Sequence, residues 1–503
     1  MVNAKEFASD LSLLGVTQSF GVLGSGDSLA ITKELLSQGG TFHQTASEFS
    51  APIISSSINR LSLKPFRAIS LSIRGPGLSS SFPGLHYNFL EDNHSLSISE
   101  GLSNEQHKSN LHKTFNSQDA LYSLGLSLRE DIDQFDLKTK LETLLADPNT
   151  RMIHVETGSN RVYSYSKSSV EMCSDKLHDN DELKKRIVLV VGKRGMENSS
   201  VKKLLHGNSF YFLTPAALPF ADISSPNFLG VWTGNEQFKS FLTQSGLLSG
   251  TLILRIGVMK RELLSLKKTV PHLDFDVSFE DSDEQLSDLA ELIEKQSRNQ
   301  IDREILRLTE NKAKIALSET SWSVYSVVQT INEIFFEINI CFDVGSFATI
   351  LETYLRPRRK MSLHSSFVGK FMGTSVPTSI GVSFAEPAVP VLCLLGEAGF
   401  ASSISEIVSI ANLQLPICLI LLSDGTMHSV TGRVNFEERF KESFLPPNLE
   451  TIMQLRVPGL PTYVIKSRSQ LSKSLEEWNR KTPLLLILKF DASHYARNVE
   501  MLR

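Results

Sequence analysis

Two carboxylates stand out for where they fall in the chain. In the stretch LLGEAGFASSISEIVSIANLQLPICLILLSDGT, Glu397 and Asp424 each lie in a glycine-containing turn that closes an apolar run, 27 positions apart. Oxygen ligands of this kind suit a hard divalent cation such as Mg2+, which commonly shares one or two protein carboxylates with the phosphates of a small molecule. Spacing alone leaves a second reading open, in which loop acids merely cap helices. Glu397 precedes a helical pattern, where its charge complements the helix dipole.

What the pair can do depends on the elements that position it. VPVLCLL and PICLILL read as strands buried on both faces of a parallel sheet, and SSISEIVSIANL between them reads as an amphipathic helix. A right-handed crossover makes the two strands near neighbours. Both acids then fall at the carboxyl edge of the sheet, where open α/β folds bind ligands.

The same alternation of apolar runs and amphipathic stretches covers most of the 503 residues, of which 41% are hydrophobic. With ~150 residues per domain as a guide, the chain is expected to be α/β with three doubly wound parallel-sheet domains. The first spans 1–172, with helices near 4–14, 28–38 and 47–62, and strands at TQSFGVLG, AISLSI and RMIHVET. A shortened central domain spans 180–275, from KKRIVLVVGKRG to TLILRIGV. An acidic linker and helix covers 276–310, and the third domain spans 311–503. A net charge of −4, with acids and bases interspersed, argues against nucleic acid or an anionic membrane as partner. The N-terminus lacks a basic segment followed by an apolar one, and no run approaches the ~18 apolar residues of a membrane span. A cytoplasmic location is expected. Cys173, Cys341, Cys393 and Cys418 show no C-x-x-C spacing and read as buried thiols.

The Glu397 to Thr426 stretch resembles the metal-and-diphosphate motif of thiamine-diphosphate-dependent enzymes, the group that includes acetolactate synthases and pyruvate and phosphonopyruvate decarboxylases. Gly396 matches the motif's first glycine, Glu397 its aspartate, Glu406 its helix glutamate, Leu415-Pro416 its Leu-Pro, and Asp424 its second asparagine. The resemblance implies bound thiamine diphosphate and Mg2+, with Glu397, Asp424 and the Thr426 carbonyl as metal ligands and Gly396, Ala398 and Gly399 along the cofactor. Upstream, SFVGKFMGTSVPTSIGVSFAEP resembles the family's Pro-x-x-Ile-Gly stretch. That implies Met372 as the side chain that bends the cofactor and the Lys370 carbonyl as facing its aminopyrimidine. INICFDVGS resembles the strand and Asp-x-Gly-Ser turn that opens this diphosphate-binding domain.

The first segment resembles the family's pyrimidine-binding domain. TFHQTASEFSAPIISSSINRL aligns with its activating helix, which implies that Glu48 hydrogen-bonds the pyrimidine N1′ and activates the cofactor. An acid in so uncharged a stretch is costly without a role. Gly75, Pro76 and Gly77 match a Gly-Pro-Gly turn, Ser80 stands where Asn is common, and Ser47 replaces a frequent His. LTPAALPFADISSPNFLGVWTG follows the central domain's course, but so little chain remains there that FAD is not expected.

The resemblance implies a decarboxylase or carboligase acting on a small 2-oxo acid. His112, in LHKTFNSQD, matches one member of a His pair of the decarboxylases, with Lys113 in place of the other; His428, in TMHSVTGRVNFEERF, is a candidate acid or base near the cofactor. The basic run RPRRK at 356–360 reads as a solvated loop or an attractor of acidic substrate. Active sites in this family lie between subunits, so a homodimer or homotetramer is expected. Because both metal ligands depart from the usual types, a catalytically silent paralogue is the alternative. A nucleotide-binding oxidoreductase is disfavoured, since neither glycine turn carries a full G-x-G-x-x-G with a following acid.

Overall fold

The computed structural model describes residues 4–24, 26–62, 66–73, 75–100, 117–131, 134–157, 161–166, 186–206, 210–220, 225, 227–232, 251–259, 262, 322–355, 361–425 and 456–491. The expectations for Cys173, His112, Lys113, the 276–310 linker, RPRRK, Thr426 and His428 lie outside these residues.

Among the described residues the strands form three sheets. The first has the order β2-β1-β3-β4-β6-β7-β5, from β1 (Gln18–Gly21), β2 (Thr41–Gln44), β3 (Ala68–Ser72), β4 (Ser95–Ser99), β5 (Ser127–Asp131), β6 (Thr150–Glu156) and β7 (Arg161–Ser166). The central sheet is β10-β9-β8-β11, from β8 (Arg186–Val191), β9 (Tyr211–Leu213), β10 (Phe228–Val231) and β11 (Thr251–Ile256). The third is β13-β12-β14-β15-β17-β16, from β12 (Ile338–Phe342), β13 (Met361–His364), β14 (Val391–Gly396), β15 (Ile417–Ser423), β16 (Thr462–Ile465) and β17 (Leu484–Lys489). The α/β class read from the sequence is therefore present, with one modification. In the first sheet β7 runs antiparallel to both β6 and β5. Only residues 157–160 join β6 to β7, too few for the crossover that a parallel pair requires.

The apolar runs became the strands for the expected reason. β12, β14 and β15 are buried along almost their whole length, and Cys341 pairs in register with Cys393 in the same layer. Burial pushes these thiols up, Cys393 to about 12. The helix Val324–Ile334 starts at a capping box in which Ser323 and Ser326 satisfy each other's backbone N–H groups. Two helix boundaries differ from the sequence reading. The helix expected over SSISEIVSIANL is preceded by a separate one, Glu397–Ser402, and continues as Ile404–Asn412. The break falls at Ser403, whose hydroxyl donates to Gly373 O at 3.1 Å. Glu48 lies in a turn just ahead of the helix Ser50–Leu61 rather than inside it. The Ser47 hydroxyl accepts from Ser50 N, and Pro52 sits in the first turn, where no backbone donor is needed.

The first and third domains share a core. Phe20, Ile54 and Ile58 pack with Val376, Ile380, Cys393 and Ile407 in one apolar cluster. The helices Ser50–Leu61 and Ser375–Ala385 meet so closely that a Cβ at Gly381 would stand 2.4 Å from Ile54 O. The central domain shares a second cluster with the third, in which Leu189, Leu213 and Ile256 pack with Val327, Ile340 and Leu394.

Candidate functional site

At the third sheet the backbone register does the positioning. Gly396 pairs with Leu422 across β14 and β15, so Glu397, just past β14, and Ser423, the last residue of β15, reach the same edge. Glu397 stands there 4% exposed, and the Ser423 hydroxyl donates to its Oε1 at 2.5 Å. Burial raises the Glu397 carboxyl to about 7; Ser423 and the Gly425 N–H act in the opposite sense, and the neighbouring Asp424 charge raises it further. Twenty-seven residues apart in sequence, the two acids lie within electrostatic reach of each other. Two acids that raise each other's pKa are a pair that a divalent cation would relieve. Among the described residues, a side chain added at Gly425 would meet nothing within 4 Å, and one at Gly396 would meet only Phe347 at 3.5 Å. The described residues beside both carboxylates therefore leave room for a cation with an attached diphosphate, and their oxygen donors fit one. Among the described residues no group of three or more His, Cys, Asp or Glu side chains stands together as a metal cage.

The turn that carries Lys370 and Met372 is gripped from two sides. Lys370 itself is left-handed at φ 52, and Gly373 follows at φ 80. Asp343, leaving β12, accepts the Gly373 N–H at 2.8 and 3.0 Å on its two oxygens and the Val344 N–H at 3.0 Å. Burial raises Asp343 to about 6 against these donors. Its carboxylate lies so close to Gly399 that a Cβ there would come within 2.0 Å of Oδ2, so residue 399 must be glycine. From the first domain, Glu91 Oε1 accepts from the Ser366 hydroxyl at 3.0 Å, Val368 N at 3.0 Å and Gly369 N at 2.8 Å. Met372 is left 49% exposed, free of the core packing that usually holds a methionine. Ala398 is half-buried in the same short helix as Glu397.

The first-domain half of the site is built differently. Glu48 is half-buried in its turn, and a Cβ on Gly77 would stand 3.4 Å from Glu48 Oε1. The Gly75-Pro76-Gly77 turn thus lies against this acid, with Gly75 at φ 60 and Pro76 opening the helix Pro76–Leu90. Ser80 is exposed on the first turn of that helix. The segment holding Glu48 is anchored across the domain boundary: Ala46 N donates to Glu406 Oε1 at 3.0 Å. Glu406 is 2% exposed. Glu406 of the third domain therefore holds the turn that carries Glu48.

Sequence reasoning left three of these contributors out of the site: Ser423, Glu91 and Asp343. Ser423 and Asp343 were legible in principle, as polar residues directly after buried strands. Glu91 gave no signal, because its partners lie 275 or more positions away.

Residues 343–488 match the thiamine pyrophosphate enzyme C-terminal TPP binding domain. Over 163 residues the chain is 24% identical to the acetolactate synthase large subunit of Porphyra purpurea, covering 31% of this chain and 27% of that protein. It is 27% identical over 123 residues to the acetolactate synthase isozyme 2 large subunit of Escherichia coli (strain K12), covering 24% and 22%. It is 23% identical over 165 residues to the acetolactate synthase of Bacillus subtilis (strain 168), covering 33% and 28%. The matched stretch spans about a quarter of the length of these relatives. Over residues 343–488 the third domain is thus similar to the cofactor-binding domain of thiamine pyrophosphate enzymes. Among these enzymes the sequence likeness runs to acetolactate synthases. No described helix is long and apolar enough to cross a membrane.

Proposed function

We propose that the chain is a thiamine-diphosphate-dependent enzyme of acetolactate-synthase type, a carboligase that takes a 2-oxo acid, releases CO2 and joins the remaining fragment to a second carbonyl compound. The observation that carries this reading is the meeting of Glu397 and Asp424 at one sheet edge, inside the segment that matches the family's cofactor-binding domain. When bound, thiamine diphosphate supplies carbanion stabilisation for the loss of CO2. Glu397 and Asp424 would hold Mg2+, with Thr426 as a backbone ligand. Gly396 and Gly425 leave room for the diphosphate. Met372 and the Lys370 carbonyl would orient the ring system, and the Asp343 and Glu91 carboxylates keep their turn rigid. Glu48 would hold a proton on its carboxyl oxygen toward the pyrimidine N1′. In a homodimer or homotetramer, Glu48 of one subunit would serve the metal site of another.

A silent paralogue of the same fold is the second reading. It is favoured by the departures at both metal positions, Glu397 for Asp and Asp424 for Asn. One measurement separates the two. Cofactor-free protein titrated with Mg2+ and thiamine diphosphate should gain thermal stability, by about 2.7 kcal/mol at a hundredfold excess over Kd, and should release CO2 from a member of a 2-oxo acid panel. A stability gain without turnover of any panel member would favour the silent reading. No gain at all would remove the cofactor assignment.

A further inference from the structure

Residues 91–93 are a junction of all three domains. They follow the helix Pro76–Leu90 of the first domain, and Glu91, Asp92 and Asn93 are all buried. Asp92 is left-handed at φ 54. A non-glycine residue in that conformation is strained and persists only where its surroundings hold it.

The holding group is Lys193, at the start of the short helix Lys193–Glu197 of the central domain. Its Nζ donates to the Glu91 carbonyl, to the Asp92 carbonyl at 2.8 Å and to Asn93 Oδ1 at 3.2 Å. An ammonium carries three donors, so all of them are spent on this one turn. The carboxylates of the seam go to arginines instead. Asp92 takes Arg194 at 3.2 Å and Arg151 at 3.5 Å, and Glu197 takes Arg151 at 2.6 Å. Lys193 is 4% exposed. Burying a cation on neutral acceptors is costly, and a lysine that only sealed two domains together would be expected to take a carboxylate. This one clamps a strained turn.

The turn passes the constraint on to the third domain. Glu91 Oε1 accepts from the Ser366 hydroxyl, Val368 N and Gly369 N, none beyond 3.0 Å. The Ser366 oxygen in turn accepts from Phe371 N at 2.8 Å. Phe371 stands between Lys370 and Met372, and its ring meets those of His86 and Tyr87 edge-on at 5.5 and 6.1 Å. An unbroken line therefore runs from Lys193 through Glu91 and Ser366 to the backbone that carries Met372. We propose that Lys193 is a positioning residue for the cofactor: by fixing the 91–93 turn it aims the Glu91 carboxylate, and so sets the 366–372 turn that would orient the thiamine ring system. This inference rests on the proposed function, and it gives the central domain a part in cofactor binding that requires no ligand of its own.

Two measurements on the full chain test it, the first without cofactor. In hydrogen–deuterium exchange, Lys193→Met should speed exchange across 366–371 about tenfold, while the strands Val391–Gly396 and Ile417–Ser423 keep their protection. Titrated with thiamine diphosphate at saturating Mg2+, the same variant should bind the cofactor about tenfold more weakly, the scale of one charge-assisted hydrogen bond. Its Mg2+ affinity should not change. Glu91→Ala should show a similar loss, and the double variant no more than the larger of the two, because both cut one line. Unchanged exchange across 366–371, exchange raised evenly over the third sheet, or an unchanged cofactor affinity would each overturn the proposal. A parent protein that binds no thiamine diphosphate would overturn the proposed function, and the exchange result then shows whether the line itself stands. If Lys193→Met does not fold, Ser366→Ala cuts the same line at its far end by removing one hydroxyl. It should weaken cofactor binding several-fold, and an unchanged affinity there would overturn the proposal.

Discussion

The carboxyl edges of the first and third sheets carry the two halves of the candidate site, and they fix their acids by different means. At the third sheet, β14 and β15 are in direct register, so Glu397 and Ser423 meet because the backbone ladder leaves them no choice. At the first sheet, Glu48 sits in a turn outside any regular element. Its place is set by Glu406 from the third domain and by the closeness of Gly77. The Glu397 half is thus a local product of one parallel sheet. The Glu48 half takes its place only once two domains have docked. Single changes should therefore separate the two halves, by loss of chemistry, of cation binding or of docking.

The largest effect is expected from Glu48→Gln. General acid–base roles contribute roughly 10²–10⁴-fold, so CO2 release from an accepted 2-oxo acid should fall by at least that lower figure. Cofactor-dependent thermal stabilisation should persist. Turnover within a few-fold of the parent would remove Glu48 from the mechanism and leave the third-sheet edge as the whole site. Glu397→Ala is the converse. It should abolish the thermal gain from Mg2+ and thiamine diphosphate, a loss of about 2.7 kcal/mol at a hundredfold excess of ligand over Kd. A retained gain would show that the cation is held elsewhere.

Glu406→Ala probes the anchor between the halves. Losing its hydrogen bond to Ala46 N should cost about 1 kcal/mol in denaturant unfolding and lower turnover, while the apparent Mg2+ affinity stays unchanged. If Mg2+ affinity fell in step, the two edges would not be independent. The smallest effect concerns pH. Glu397 and Asp343 have folded pKa values raised to about 7 and about 6. Folding therefore favours their protonated forms, so the stability they contribute is complete below the unfolded carboxylate pKa and is lost as pH rises through 6 and 7. Metal-free protein should be less stable at pH 8 than at pH 5.5, by an amount on the order of 1 kcal/mol after solvent screening at the open edge. Glu397→Gln should flatten that slope, and Mg2+ affinity in the parent should rise over the same interval. A slope unchanged in Glu397→Gln would assign the pH dependence to other groups.

Much of the third domain was legible from residues alone. VPVLCLL and PICLILL could only be buried parallel strands, and a helix between them forces the two following acids to one edge. The resemblance across residues 394–426 rested on the same positions that now match the family's C-terminal domain. The first domain was less legible at its far edge. Its antiparallel β7 follows from a connection of a few residues, which periodicity does not reveal. Asp343 and Ser423 stood in quoted motifs, yet what they bind became visible only with Gly373, Gly399 and Glu397 around them. Glu91 could not have been found. Its role depends on a loop 275 or more residues downstream, and nothing in its own neighbourhood distinguishes it from a solvated helix end.

By itself the sequence determined the α/β class, the order of the sheets along the chain and the edge on which Glu397 and Asp424 emerge. Those follow from local apolar periodicity and from the handedness of the β-α-β crossover, which act within some thirty residues. The tertiary structure alone decided what each buried carboxylate is for: Asp343 and Glu91 holding one turn, Glu406 holding another, and Asp92 joining Arg151 to Arg194 across two domains. Charge compensation is settled by which groups meet in space after the domains dock, and that pairing crosses hundreds of positions with no periodic trace in the chain.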